Sequence, residues 1–295
     1  MAELANRYEL RNRYVFTGKL VMLTAFHIGG GVGRMTSSSS DSPVVLTTEE
    51  IPFIPGSSFK GVLRSTVEKL VPMLPGDWFS CGLIQLSDDE AKEAQDQGKR
   101  ICPTAWSGDI AQEKRKNPGR AEEILEKARE RLCATCKLFG SPLAASRLNI
   151  NDLYMPLKEW SGVIQVRDGV AIDRDSEKAK DRLKYDFEVV PSGAAFDLEM
   201  TLENATEQDL QLLSVGLSEF MHRFGTIGGK RSRGLGVCQL EYLHISELKL
   251  TGIDEQKRNQ RLRDYLLERK FSREEENGQA FLNEHISQIF QSTSQ

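Results

Sequence analysis

Residues 15–23 form a short apolar run of strand length. A glycine-rich loop at 29–33 and a serine run at 37–40 follow. Pro55-Gly56-Ser57-Ser58 reads as a turn that delivers a helix N-cap. Phe59, Val62, Leu63, Thr66, Val67 and Leu70 recur at helical spacing, which predicts an amphipathic helix over 58–70. Residues 148–155 predict a strand, and 163–172 and 183–190 flank a charged turn, which predicts a protruding hairpin. Phe196, Leu198, Met200 and Leu202 alternate with Asp197, Glu199, Thr201 and Glu203, the clearest half-buried strand in the chain. Thr206 to Asp209 has the form of a capping box. Leu210, Leu213, Leu217, Phe220, Met221 and Phe224 form one face of the helix behind it. A second glycine-rich loop, 225–236, leads to a last strand at 237–245.

This order is the split β-α-β-β-α-β pattern of an α+β fold. Its parts are 13–74 and 148–250. Residues 75–147 interrupt it as an insertion, with a two-cysteine loop and a charged helical stretch, 120–132, whose apolar stripe is Ala121, Ile124, Leu125, Ala128 and Leu132. The tail, 251–295, is helical in propensity and poor in aromatic residues, and is expected either to dock or to stay partly disordered. A length of 295 residues with 39% hydrophobic and 28% charged positions suits one elaborated domain or two small ones. No run of eighteen apolar residues occurs, and the N-terminus lacks the apolar core of a signal peptide, so a cytoplasmic protein is expected.

The net charge of −4 argues against nucleic-acid binding, but its distribution argues for it. Between Glu9 and Glu49 the sole acid is Asp41, beside Arg11, Arg13, Lys19 and Arg34. The stretch from Glu50 to Glu68 has Lys60 and Arg64 and no acid, and that from Glu219 to Glu241 has Arg223, Lys230, Arg231 and Arg233 and no acid. Folding can gather these segments into one basic face.

Gly228, Gly229, Lys230, Arg231 and Arg233 are the strongest local signal. Five glycines and three cations between 225 and 236 let backbone N–H groups and counter-charge approach a phosphate. Lys230 is followed by Arg231, so this is not a Walker loop. At 55–64 two readings stand side by side. The helix N-terminus with Lys60 and Arg64 on one face suits an anion, and the same residues suit an ordinary capped helix with snorkelling cations. Cys81, Cys102, Cys133 and Cys136 include one pair at two-residue spacing, which points to structural zinc holding an insertion too small and polar for a core of its own. Cys238 belongs to the last strand and to the core.

His27-Ile28-Gly29-Gly30, Asp41-Ser42-Pro43-Val44, Ile54 through Gly61 and Arg64 together resemble the RAMP superfamily. Cys136 through Ser141, Ala171-Ile172-Asp173-Arg174 and the loop after Phe224 extend the resemblance over about 13–245. It is strongest to the repeated backbone subunit of type III CRISPR–Cas effectors. The charged insertion and the serine loop depart from the simplest members and point to a type III-D-like variant. The resemblance implies an RRM-like (ferredoxin-like) palm, a zinc-bearing finger, a β-hairpin thumb at 163–190 and a helical tail. By the same resemblance, Ser58, Lys60, Arg64 and the loop 228–233 hold the guide-RNA backbone, and His27 lies near RNA. The thumb wedges into the duplex of guide and complementary target RNA, with Ile172, Tyr185 and Phe187 as candidate wedges.

Asp41 stands alone in an acid-free stretch, where a carboxylate beside a polyanion is costly unless it holds metal or moves a proton. It matches the family's target-cleaving aspartate, which implies attack by a target 2′-hydroxyl with magnesium or another divalent cation. The alternative is a turn cap before Pro43. Three functions follow from the resemblance: a metal-dependent endoribonuclease subunit, a scaffold that binds guide RNA without cutting, and a guide-maturation nuclease. Retention of Asp41 favours the first. Its partners are guide RNA, target RNA and the other effector subunits, including adjacent copies or paralogues.

Overall fold

The computed structural model describes residues 9–30, 40–84, 86–172 and 179–291. Of the positions singled out above, Gly31, Gly33, Arg34, 37–39, Asp173 and Arg174 lie outside the described residues, as does the side chain of Ile172. The chain runs β1 (Asn12–Met22), β2 (Phe53–Ile54), α1 (Gly56–Leu70), α2 (Asp88–Asp96), α3 (Ser107–Lys116), α4 (Ala121–Glu130), α5 (Ala134–Phe139), β3 (Leu148–Ile150), β4 (Leu153–Tyr154), β5 (Gln165–Ile172), β6 (Ala179–Val189), β7 (Ala195–Glu203), α6 (Glu207–Met221), β8 (Cys238–Lys249), α7 (Glu255–Glu268), β9 (Arg273–Glu275) and α8 (Gly278–Gln291). The fold is α+β, with an antiparallel sheet and helices packed on it. β1 lies at the middle, paired with β7 on one side and β8 on the other, and β3 and β4 pair with β7. The β5–β6 hairpin forms a separate two-stranded sheet.

β7 behaves as its alternation predicts. Phe196, Leu198, Met200 and Leu202 are buried, and Asp197 and Glu199 are exposed. The side of the sheet bearing Asp197 and Glu199 also carries Lys19, tied to Glu159 and Asp197. The capping box of α6 forms: the Asp209 N–H donates to Thr206 Oγ1 at 3.3 Å, and Asp209 Oδ2 accepts the Thr206 N–H at 2.8 Å.

Four local expectations need correction. α1 begins at Gly56, not Ser58, and no serine caps it. Phe224 leaves the α6 face: Arg223 turns to φ 69°, the Phe224 N–H bonds back to Glu219 O, and the ring is 73% exposed. The strand expected at 148–155 is broken into β3 and β4. β9 was not anticipated, because Arg273-Glu274-Glu275 shows no apolar alternation. The tail docks. β9 pairs with β8, and α8 adds Phe281 and Leu282 to the main core, with Phe281 edge-on to Phe16 at 6.0 Å. Together α1 and α8 enclose α6, which explains why Leu210, Leu212, Leu213 and Leu217 are all buried although they circle the helix. Among the described residues no helix is long and apolar enough to cross a membrane.

Candidate nucleic-acid interface

The glycine-rich loop is a closed excursion between α6 and β8. Thr226 bridges Val237, and the Ile227 N–H donates to Gly236 O at 2.8 Å. The Gly229 N–H donates to His27 O at 2.8 Å. A Cβ on Gly228 would stand 2.3 Å from that same oxygen, at φ +85°, so only glycine fits there. Lys230 takes a left-handed conformation, and Arg231–Arg233 form one 3-10 turn with both arginines exposed.

The loop meets the root of the β5–β6 hairpin. The Lys230 ammonium lies 4.2 Å from the centre of the Phe187 ring and 5.0 Å from that of Tyr185. Arg233 Nη1 donates to the Tyr185 hydroxyl. Phe187 is only 7% exposed and packs with Ala25, Val189 and Leu235, so its place is at the hairpin root and not on a projecting edge. Tyr185 is half-buried, and Ile172 lies at the far end of β5, opposite Ala179.

Along the edge of β6 that β5 leaves free lies the segment 41–44. The Asp41 N–H donates to Asp186 Oδ1 at 2.6 Å, and the Asp186 N–H donates to Asp41 Oδ2 at 3.2 Å. The Glu188 N–H donates to Ser42 O at 3.0 Å, and Glu188 Oε2 accepts the Val44 N–H at 2.9 Å. Asp41 itself is exposed. His27 is buried between these parts. Its Nδ1 faces Glu188 O at 2.8 Å; a carbonyl only accepts, so Nδ1 carries the proton. Nε2 then accepts from Ser42 Oγ at 3.2 Å. Both ring nitrogens are thus engaged, and His27 orders the loop.

Lys60 and Arg64 are placed elsewhere. Lys60 Nζ donates to Leu148 O at 2.8 Å, and burial, then the charge of Arg64, lowers its pKa. Arg64 reaches Glu68 Oε1 and Gly140 O, each at 2.8 Å, and Cys136 Sγ at 3.4 Å. The first N–H of α1, on Gly56, already donates to Asp152 Oδ1 at 2.8 Å, so a carboxylate of the protein sits where an anion would bind. Ser58 lies half-buried on that first turn. Of the two readings of 55–64, the geometry agrees with the structural one.

Cys81, Cys102, Cys133 and Cys136 converge, with all four sulfurs within 4.8 Å of one another. Cys81 Sγ lies 3.5 Å from Cys136 Sγ and 3.6 Å from Cys133 Sγ. A tetrahedral zinc site with Zn–S near 2.3 Å separates its sulfurs by about 3.8 Å, so the spacing fits. The donors around them suit thiolates: the Cys133 N–H faces Cys102 Sγ, and Thr104 and Arg64 face Cys136 Sγ. Hydrogen bonds from Cys133, Cys136 and Cys81 hold Cys102 well below the usual thiol range. The buried apolar company is small, Leu125, Ala128, Leu132 and Leu143, with Phe79, Ile110 and Ala144 partly buried against it. Cys238 is fully buried on β8, and burial pushes its thiol up to about 12.

A family model described as RAMP superfamily matches residues 19–239. The chain belongs to the RAMP superfamily. Two curated proteins, both named CRISPR system Cms endoribonuclease Csm3, are similar to parts of it. That of Enterococcus italicus is 45% identical over 60 residues, covering 20% of this chain and 28% of that protein. That of Methanothermobacter thermautotrophicus is 32% identical over 78 residues, covering 26% of this chain and 32% of that protein. This RAMP chain therefore spans, in its matched stretches, about a third or less of these relatives. Its structure also adds residues that the motifs omit. Asp186 and Glu188 join the Asp41 segment, and Asp152 caps α1. The Tyr185-Asp186-Phe187-Glu188 alternation was the sole signal for the first two.

Proposed function

We propose that this chain is a guide-RNA-lining subunit of a type III CRISPR effector that cuts complementary target RNA at Asp41. The observation that carries the reading is the juxtaposition, in a RAMP chain, of Asp41, the glycine-rich cationic loop and the hairpin aromatics around one strand, β6. The strand order suits an RRM-like palm with the β5–β6 hairpin as its thumb and 75–147 as its finger. RRM modules use the bare sheet face to stack bases. Here that face carries Asp197 and Glu199, with Glu159 against Lys19, and would repel a polyanion. RNA lies instead along the loop side, where the exposed Arg231 and Arg233 supply counter-charge for phosphates.

The chemistry is in-line transesterification. The target 2′-oxygen attacks the adjacent phosphorus, the bond to the 5′-oxygen breaks, and the products carry a 2′,3′-cyclic phosphate and a 5′-hydroxyl. Asp41 accepts the 2′-hydroxyl proton, and the leaving oxygen takes a proton from water. Asp41 would hold a divalent cation, which would supply positive charge at the scissile phosphate. The exposed Asp41 carboxylate suits that role. The thumb kinks the target so that the attacking and leaving oxygens line up. The cysteine quartet suits structural zinc, which would pin the finger. The histidines give no acid–base pair for guide maturation: His27 is engaged with Glu188 O and Ser42, His222 with Ser218 O, His244 with Glu274 and His285 with Glu207. Such a subunit works in the cytoplasm, within an assembly of other subunits, adjacent copies or paralogues.

The test is an assembled effector carrying wild type or Asp41→Ala, given labelled complementary RNA and magnesium. Wild type should cut at the positions this subunit serves, and the variant should bind target and not cut. Equal cutting by both rejects Asp41. No cutting by wild type leaves a guide-binding scaffold.

A further inference from the structure

β6 carries one set of partners on a face and another along its free edge. Tyr185 and Phe187 face the cationic loop, while Asp186 and Glu188 face the segment that carries Asp41. Four hydrogen bonds cross from that segment to β6, two of them reciprocal between Asp41 and Asp186, so each carboxylate accepts the other's backbone N–H. Glu188 O also accepts from His27, which is tied through Ser42 to the same segment. Two like-charged carboxylates this close repel each other, and each is held by the N–H it accepts. The place of the Asp41 carboxylate is therefore tied to β6, a thumb strand.

We propose that Asp186 is a positioning residue for cleavage. It latches the Asp41 main chain to the thumb strand through Oδ1, with Glu188 as the second point of attachment. The same strand holds Lys230 and Arg233 on one face. A tilt of the thumb on the duplex thus moves the cutting carboxylate and the guide-backbone loop together. The proposal rests on the reading of Asp41 as the cutting group. It adds a condition to that reading: Asp41 is in place only while the latch is closed.

The test uses Asp186→Ala and Asp186→Asn, each in the assembled effector and as the full-length chain. A small displacement of a reacting group costs one to two orders of magnitude, so single-turnover cleavage by Asp186→Ala should fall about tenfold or more. Target affinity should stay unchanged. Asp186→Asn keeps an Oδ1 acceptor for the Asp41 N–H and should restore cleavage to within a few-fold of wild type. Wild-type cutting by the Ala variant overturns the latch. So does an Asn variant as slow as Ala, because the lost charge and not the hydrogen bond would then matter. Amide exchange across residues 40–46 reads the latch without cleavage. It should quicken in Asp186→Ala and recover in Asp186→Asn, and unchanged exchange in the Ala variant rejects the latch. If wild type fails to cut while exchange responds as expected, the enzyme reading falls and the latch stands.

Discussion

Lys60 and Arg64 on α1, and Lys230, Arg231 and Arg233 after α6, come from stretches that look alike: free of acid, close to glycine, and short. In the fold they differ in where their donors go. Lys60 and Arg64 reach the carbonyls of Leu148 and Gly140, the Glu68 carboxylate and the Cys136 sulfur. Arg231 and Arg233 are exposed, Arg233 touches a tyrosine hydroxyl, and Lys230 lies over two aromatic rings. The difference follows from what carries them. A helix packed in the core brings its polar groups against other buried groups that need donors. A loop anchored at its base by Ile227 and Gly236 leaves the side chains at its tip outside. Cations of the first kind tie α1 to Leu148, Gly140 and Cys136; of the second kind, Arg231 and Arg233 keep their side chains at the surface.

Metal removal is the largest perturbation of this contrast. Structural zinc sites contribute about 10 kcal/mol of folding free energy at neutral pH. A cluster whose buried apolar residues are only Leu125, Ala128, Leu132 and Leu143 cannot replace that. A strong chelator should therefore unfold 75–147 and free Arg64, read as new proteolytic cleavages there, while the loop at 225–236 stays protected. Elemental analysis should find about one zinc per chain. A metal-free protein with the same protease pattern would remove the cysteine cluster from the argument.

Next in size is the loop. Replacing Lys230, Arg231 and Arg233 with Ala should lower RNA affinity about a hundredfold at moderate salt and flatten the salt dependence by about two units, as three lost contacts to single-stranded phosphates require. Sequence preference should barely change, since phosphates and not bases are contacted. Thermal stability should fall only modestly: Arg231 and Arg233 are exposed, and the main loss is Lys230 over Phe187 and Tyr185. An unchanged salt slope would make the loop a solvated turn and erase the contrast.

What was legible in the sequence depended on how local the cause is. The β7 alternation, the α6 capping box and the α1 stripe are set by neighbours within a few residues, and they formed as patterned. The cysteine quartet was legible from residue type, although the fold has to bring Cys81 and Cys102 to Cys133 and Cys136. The fates of Lys60 and Arg64 were not, because two of their four partners are backbone carbonyls of distant residues, which have no sequence signature. The same holds for Asp186, which bonds the main chain at Asp41. The cap of α1 was misread for a related reason. Ser57 and Ser58 carry the local signal, yet Asp152 supplies the oxygen, and Gly56 packs so closely on Ile150 O that a Cβ there would stand 2.4 Å away.

Arg64→Ala sharpens the contrast from the other side. Its side chain is 12% exposed, and its loss leaves the Gly140 carbonyl and the Glu68 carboxylate without their charged donor. Hydrogen bonds of that kind contribute about 2 kcal/mol each at most, with partial replacement by water, so a total cost of about 2 kcal/mol is expected in chemical denaturation. Zinc should also leave faster, because Nη2 no longer faces Cys136 Sγ. The salt slope of RNA binding should not move. A slope reduced by nearly one unit would show that Arg64 releases its internal partners and turns to phosphate in the assembled complex.

The smallest effect belongs to Lys60→Met, and its size follows from the partner left behind. Met keeps the apolar stem against α1 and removes the ammonium. The Leu148 carbonyl then loses a donor at 2.8 Å, but Ser146 Oγ lies 2.7 Å from the same oxygen and can serve it. Burial of the ammonium is itself unfavourable, as is its repulsion from Arg64, and both penalties disappear with the charge. A lost bond costing about 1 kcal/mol is thus largely offset, and the variant should lie within about 1 kcal/mol of wild type. RNA affinity and salt slope should both match wild type when the two proteins are titrated side by side. A drop in affinity with stability intact would place Lys60 on the RNA, and the two cationic stretches would then share one use.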